Sequence, residues 1–194
     1  MNKNIEQEIY NYLSANLKPE RYNHVLAVND LALKLAKKYK LDGYKISVAA
    51  LLHDCAKNMT FEENIKYIKK HKLKIKNIDF IVKYLPQVLH SYIGADIAKK
   101  VFHIKDKEII NSIYNHTIGR VGMSDYEKVI FVADALSLDR KYKKSFVPKK
   151  VMFSDLDKTF KLVLQDKIKY VLSKFKVLHP DIIKIWNYYN SQNV

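Results

Sequence analysis

The sequence predicts an all-α chain folded as a single domain over residues 1–194. Three observations carry this. Glycine and proline number four each in 194 residues, too few for the tight turns of a β-rich fold. Apolar residues recur at helical spacing along nearly the whole chain. No repeat, low-complexity linker or shift in composition marks a domain boundary, and 48% hydrophobic with 28% charged residues is a globular composition. A chain of this length buries a sizeable core without disulfides or structural metals.

The elements follow in order. Ile5, Ile9, Tyr12 and Leu13 predict a helix over 2–16. Pro19 suits the start of a second, and Val25, Val28, Leu31, Ala32 and Leu35 carry its apolar stripe to Tyr39. Asp42 is placed to cap a third helix that runs through Leu52 and His53. Thr60-Phe-Glu-Glu63 is a capping box for a fourth. Asn77 starts a short helix that Pro86 stops. Residues 87–102 and 105–116 read as two more. Gly119 and Gly122 bracket a turn, and Ser124-Asp-Tyr-Glu127 opens a strongly apolar helix through Leu136. Residues 139–150, basic and containing a proline, read as a loop. Residues 155–175 form a long amphipathic helix, and His179-Pro180-Asp181 begins a last one carrying Ile182, Ile183, Trp186 and Tyr189. The expected bundle has about eight to ten helices.

The formal charge is +15, from 35 Lys and Arg against 20 Asp and Glu. A basic helical module that binds nucleic acid is one reading of that excess. Only three of those residues are arginines (Arg21, Arg120 and Arg140), and base readout leans on arginine forks. The lysines are spread over the whole chain, as solvated helix faces are, so nucleic acid is not the expected partner. A small polyanionic substrate fits the charge equally well. Cys55 is the only cysteine, which excludes a disulfide framework and a Cys-based zinc module. It reads as a small packing residue. The first residues lack the apolar core of a secretory signal, and no stretch approaches the roughly 18 apolar residues of a membrane span. The expected location is the cytoplasm.

The informative positions are polar residues set against the apolar pattern. His24 shares the stripe of Val28, Leu31 and Leu35. His53-Asp54 interrupts VAALLHDCA, Asp134 lies inside VIFVADALSL, His90 begins one helix and His116 ends another. An unpaired buried carboxylate is very costly. Each residue alone has a bland reading, a hydrogen-bonded core imidazole or a capping Asp, and His71, His103 and His179 are expected to be core histidines of that kind. Taken together, His24, His53, Asp54, His90, His116 and Asp134 point to a metal centre built from imidazoles and carboxylates. The lack of thiolates argues against a purely structural zinc site.

The order H…HD…H…H…D, with each ligand on a different helix except the adjacent pair, resembles the HD metal-dependent phosphohydrolases. The strings RYNHVLAVNDLALKLAKKY, AALLHDCAK, VLHSYIGADIAK, IYNHTIGRVGMS and VIFVADALSLDR narrow the match. They are similar to the HD-domain symmetrical bis(5′-nucleosyl)-tetraphosphatases of bacteria, over residues 20–141 and more loosely in HPDIIKIWNYYN. The resemblance implies an HD-type helical bundle with helices 155–191 packed on a motif-bearing core. It implies two divalent metal ions, iron in the family and manganese as the alternative, and hydrolysis of diadenosine tetraphosphate to two ADP. Carried over by position, His24, His53, Asp54 and Asp134 hold one metal, and Asp54, His90 and His116 hold the other, with Asp54 shared. Asp54, Lys57 and Arg140 form the catalytic set, with Lys57 and Arg140 on phosphate. His24, His90 and Thr117 adjoin the substrate, and His179, Pro180 and Asp181 close the nucleotide pocket. Cys55 stands where the family usually has an aliphatic residue, and ADALSLDR is less typical between its Asp and Arg.

The chemistry agrees with this. No Ser/His/Asp or Cys/His triad stands out, so the nucleophile is water, and two metals sharing Asp54 can hold a hydroxide at neutral pH. Lys57 suits a point charge on phosphate and Arg140 a bidentate grip, against the bland readings of a solvated lysine and a surface-loop arginine. Thr117 is balanced between a phosphate contact and a helix-end cap. Arg21, one turn before His24, is balanced between the pocket and a surface ion pair. Tyr188 and Tyr189 are candidates for an adenine wall, with core packing as the alternative. Other HD-type nucleotide hydrolases or phosphodiesterases are the nearest rival function. HDCAKN lacks the acidic residues that alarmone hydrolases carry after the doublet. A homodimer is compatible with the exposed helix faces.

Overall fold

The computed structural model describes residues 3–137 and 147–191. Among the described residues there are eleven α-helices, one 3₁₀ turn and no strand. They run α1 Lys3–Asn16, α2 Pro19–Tyr39, α3 Gly43–Leu52, α4 Phe61–His71, α5 Ile78–Tyr84, the 3₁₀ turn Pro86–Val88, α6 Leu89–Lys100, α7 Lys107–Asn115, α8 Asp125–Leu136, α9 Lys149–Met152, α10 Leu156–Ser173 and α11 Ile182–Ser191. None of these helices is long and apolar enough to cross a membrane.

The architecture is organised around α3. Its residues from Ile46 to Leu52 are all buried, so the helix is apolar on every side and needs neighbours on every side. It finds them in α1, α2, α6, α7 and α8. The Asp42 side chain starts α3 by accepting from the backbone N–H groups of Tyr44 and Lys45. Both capping boxes form, with Thr60 and Ser124 each exchanging bonds with the glutamate three residues on. α6 approaches closely at Gly94, where an added Cβ would meet Cys55 Sγ, Ile113 and the Leu52 carbonyl at 3.4 Å. Cys55 is thus a small buried spacer between helices, and burial raises its thiol pKa. α10 closes the core from the C-terminal side by packing on α8, where Phe160 meets Phe131.

Four local expectations need correction. The loop expected over 139–150 falls outside the described residues as far as 146, but Lys149 and Lys150 belong to α9. Pro148 fixes the backbone ahead of that single turn and buried Met152 seats it. The helix expected over 87–102 ends at Lys100 instead, because the chain turns back through His103 in the left-handed conformation (φ 53°). His103 is therefore exposed, not a core histidine. His71 is not a core residue either: it is half-buried and stacks on Tyr67 with ring centroids 4.1 Å apart.

α7 is capped by Asp106, which accepts from the N–H groups of Glu108 and Ile109 and reaches Lys45 on α3 at 2.8 Å. That ion pair is partly exposed and contributes little. Asp106→Ala is expected to cost about 1 kcal/mol, chiefly through the lost cap. That is about 2–4 °C in the thermal midpoint for a chain of this size. A midpoint unchanged by the substitution would show the cap to be dispensable.

Candidate metal centre

The six residues singled out by burial against pattern converge at one end of α3. His24 lies on the buried stripe of α2, His53 closes α3 and Asp54 follows it in the turn. His90 lies in the first turn of α6, His116 closes α7, and Asp134 is on α8. Helix packing thus gathers groups separated by as many as 110 positions, since His24 Nε2 lies 3.2 Å from Asp134 Oδ1.

The Asp54 carboxylate stands between two sets of side chains. Its Oδ2 faces His53 Nε2 at 3.6 Å and His24 Nε2 at 3.9 Å. Its Oδ1 faces His90 Nε2 at 2.9 Å and His116 Nε2 at 3.6 Å. Within His24–His53–Asp134, and again within His53–Asp54–His116, one ligand atom from each residue lies within 4.8 Å of the others. His53 Nε2 thus stands within reach of both groups.

Backbone contacts orient three of the imidazoles in the same way. His53, His90 and His116 each place Nδ1 against the carbonyl three residues back, at 2.6, 2.7 and 2.7 Å from Ala50, Gln87 and Ile113. A carbonyl only accepts, so Nδ1 carries the proton and Nε2 presents a lone pair to the centre. The lone pairs of His90 and His116 then face each other at 3.1 Å, beside the Asp54 carboxylate. His53 Nε2 is buried with no hydrogen-bond partner among the described residues. Acceptors crowded this way repel unless a cation lies among them.

The electrostatics favour the same state. Burial, opposed by Asp54, pushes His53 down to about 4. Burial also lowers His90 and His116 against the pull of Asp54. Burial alone would raise Asp54, but His53 and the close approach of His116 and His90 outweigh it and hold the carboxyl well below its ordinary range. Neutral imidazoles around an ionised carboxylate are the protonation state that a metal ion requires. Nitrogen and oxygen donors without thiolate suit iron, manganese or zinc, so the residues present fit a divalent metal.

The other expected residues are distributed around this centre. Lys57 reaches it, with Nζ 3.3 and 3.4 Å from the His90 ring nitrogens and 3.4 Å from the Gln87 carbonyl. Arg21 also reaches the centre: its guanidinium donates to Asp54 Oδ2 at 2.8 Å. Thr117 meets the Ser91 hydroxyl at 3.3 Å. His179 and Asp181 line a cavity of about 410 Å³ that none of the six borders. Asp181 pairs there with Lys76 at 2.9 Å, and Pro180 is exposed. His179 also borders an apolar slot of about 180 Å³ shared with Gln87, Thr117 and Lys167, one step from the centre. Tyr189 packs against Phe160 and Tyr188, and its hydroxyl accepts the Met123 N–H at 2.6 Å, as a core residue does. Arg140 lies outside the described residues. Lys167 was missed by the sequence reading. Its signal was its place seven after Phe160 and four after Val163, on the buried face of α10.

Comparison with known proteins places the chain in a family. The HD domain profile matches residues 21–139. The "Bis(5'-nucleosyl)-tetraphosphatase, symmetrical" of Halalkalibacterium halodurans is 31% identical over 89% of this chain and 90% of its own. The Bacillus subtilis protein of the same name is 28% identical with the same coverage. A crystal structure from Clostridium acetobutylicum, described as a predicted HD superfamily hydrolase involved in NAD metabolism, superposes with a TM-score of 0.88 at 35% identity. The match covers 96% of this chain and 97% of that one. This chain belongs to the HD domain family, the family of its bis(5′-nucleosyl)-tetraphosphatase relatives.

Proposed function

We propose that this chain is a metal-dependent hydrolase that cleaves diadenosine tetraphosphate symmetrically into two ADP. The observation that carries the reading is the Asp54 carboxylate, one oxygen turned to each of two clusters of imidazole lone pairs. The relatives' names supply the substrate class. His24, His53, Asp54 and Asp134 are assigned to one ion and Asp54, His90 and His116 to the other, with iron the expected metal and manganese the alternative. Bound there, two divalent ions supply charge neutralisation at phosphate and an activated water at neutral pH.

The chain's own groups do the rest. Lys57 brings an ammonium to the His90 side of the centre, where a phosphate oxygen would lie. Arg21 fixes the orientation of Asp54 through Oδ2. The three backbone carbonyls hold the Nδ1 protons of His53, His90 and His116 and so fix the direction of the rings, and burial keeps the rings neutral. One water is consumed: its oxygen bonds to the second phosphorus, the central P–O bond breaks, and both halves leave as nucleoside diphosphates. Positioning and electrostatics supply most of the acceleration in such a transfer.

Product analysis tests the proposal. Protein reloaded with Fe²⁺ or Mn²⁺ is incubated with diadenosine tetraphosphate and the nucleotides are separated. ADP as sole product supports symmetrical cleavage. AMP with ATP keeps the hydrolase and overturns the cleavage position, and no turnover by metal-loaded protein overturns the substrate. Arg140→Ala is expected to keep its metal and lose about 10–100-fold in kcat/KM, the cost of charge-assisted bonds worth about 1.5–3 kcal/mol. An unchanged kcat/KM would remove Arg140 from phosphate.

A further inference from the structure

Lys167 comes from α10, beyond the residues that the HD profile matches, and its ammonium is held at the edge of the centre. It lies 3.8 Å above the Phe131 ring, donates to the His116 carbonyl at 3.2 Å and stands 3.9 Å from Asp134 Oδ2. The Phe131 contact is a cation–π pair and the His116 contact places a positive charge at the carboxyl end of α7, so both favour the ammonium where it stands. Asp134 is thereby divided. Its Oδ1 is turned to His24 and His53, and its Oδ2 to Lys167. A cation on the outer oxygen fixes which oxygen the inner set receives.

We propose that Lys167 is the positioning residue through which the C-terminal helix sets metal affinity on the His24–His53–Asp134 side. This inference rests on the metal reading of the centre, and it concerns chiefly the ion whose ligand side chain, Asp134, faces Lys167. The Asp54–His90–His116 side has its rings oriented by contacts to the Gln87 and Ile113 carbonyls, and Lys167 touches it only at the His116 main-chain carbonyl. Partners that orient a metal ligand are typically worth about 10–100-fold in affinity.

The test is titration of the full-length, metal-free chain with Mn²⁺ alone, read by calorimetry, for wild type, Lys167→Gln and Lys167→Arg. Lys167→Gln is expected to weaken one Mn²⁺ site by about 10–100-fold and to leave the other within threefold or so. The metal-free thermal midpoint should move by no more than about 4 °C. Lys167→Arg, which restores a cation over Phe131, is expected to recover most of the affinity. Two unchanged sites in Lys167→Gln would overturn the proposal. So would an equal loss at both sites with a large fall in midpoint, since that is what a merely structural role for Lys167 predicts. A wild-type chain that binds no Mn²⁺ overturns the metal reading itself, and this inference with it.

Discussion

Asp54→Asn is expected to lower turnover of diadenosine tetraphosphate by at least about 10³-fold, at the upper end of what a single preorganised electrostatic group contributes. It is also expected to leave the protein unable to retain two metal ions. The substitution keeps the shape of the side chain but removes its charge, and one carboxylate oxygen becomes an NH₂ group that repels a cation. Whichever way the amide turns, one of the two imidazole sets loses its shared anion. The fold should survive. Burial opposes the Asp54 charge in the first place, and Arg21, whose side chain is 30% exposed, can return to water once its partner is neutral. Metal content after chelation and reloading, product formation and a melting curve give three separate readings. A variant that keeps both ions and wild-type turnover would exclude Asp54 as the shared ligand. A variant that no longer melts cooperatively would show that the charge has a structural role the geometry does not reveal.

Glu127→Ala is expected to cost about 3 kcal/mol without touching the metal centre. Glu127 is fully buried and holds four donors: the Asn115 amide at 2.7 Å, Arg120 at 2.6 and 2.9 Å, and the Ser124 N–H at 2.8 Å. It fastens the start of α8 to the end of α7, across the turn where Gly119 and Gly122 adopt positive φ. Breaking a buried ion pair typically costs about 3–5 kcal/mol. The lower end applies because Arg120 is 41% exposed and rehydrates when released. The loss corresponds to about 6–12 °C in the thermal midpoint. Glu127→Gln keeps the shape and the Asn115 and Ser124 neighbours, so it should lose less than Glu127→Ala. A melting shift below about 2 °C for Glu127→Ala, at most about 1 kcal/mol on that scale, would mean that the α7–α8 turn is held by packing alone.

The capping boxes at Thr60 and Ser124, the Asp42 cap and the glycine turn all formed as read, because each is a local arrangement within four residues. The short α9 and the turn at His103 were not legible. A single helical turn carries too little periodicity to detect, and a left-handed residue other than glycine has no fixed signature. The histidines divide along the same line. His24, His53, His90 and His116 interrupt apolar faces and converge, whereas His71 and His103 were misjudged because their burial depended on where the chain turned next.

By itself the sequence determined the helical class, the starts of most helices and the identity of six groups that could not be buried alone. Helical periodicity states which side of each helix avoids water, so a His or Asp on that side declares itself. Only the tertiary structure decided how those groups share a centre. It set the two oxygens of Asp54 between two sets of imidazoles, placed His53 within reach of both, drew Arg21 onto Asp54 and brought Lys167 from α10 to the outer edge of Asp134. Those outcomes depend on distances between helices far apart in the chain. A long flexible cation is equally at home in water or in a pocket until its neighbours are in place.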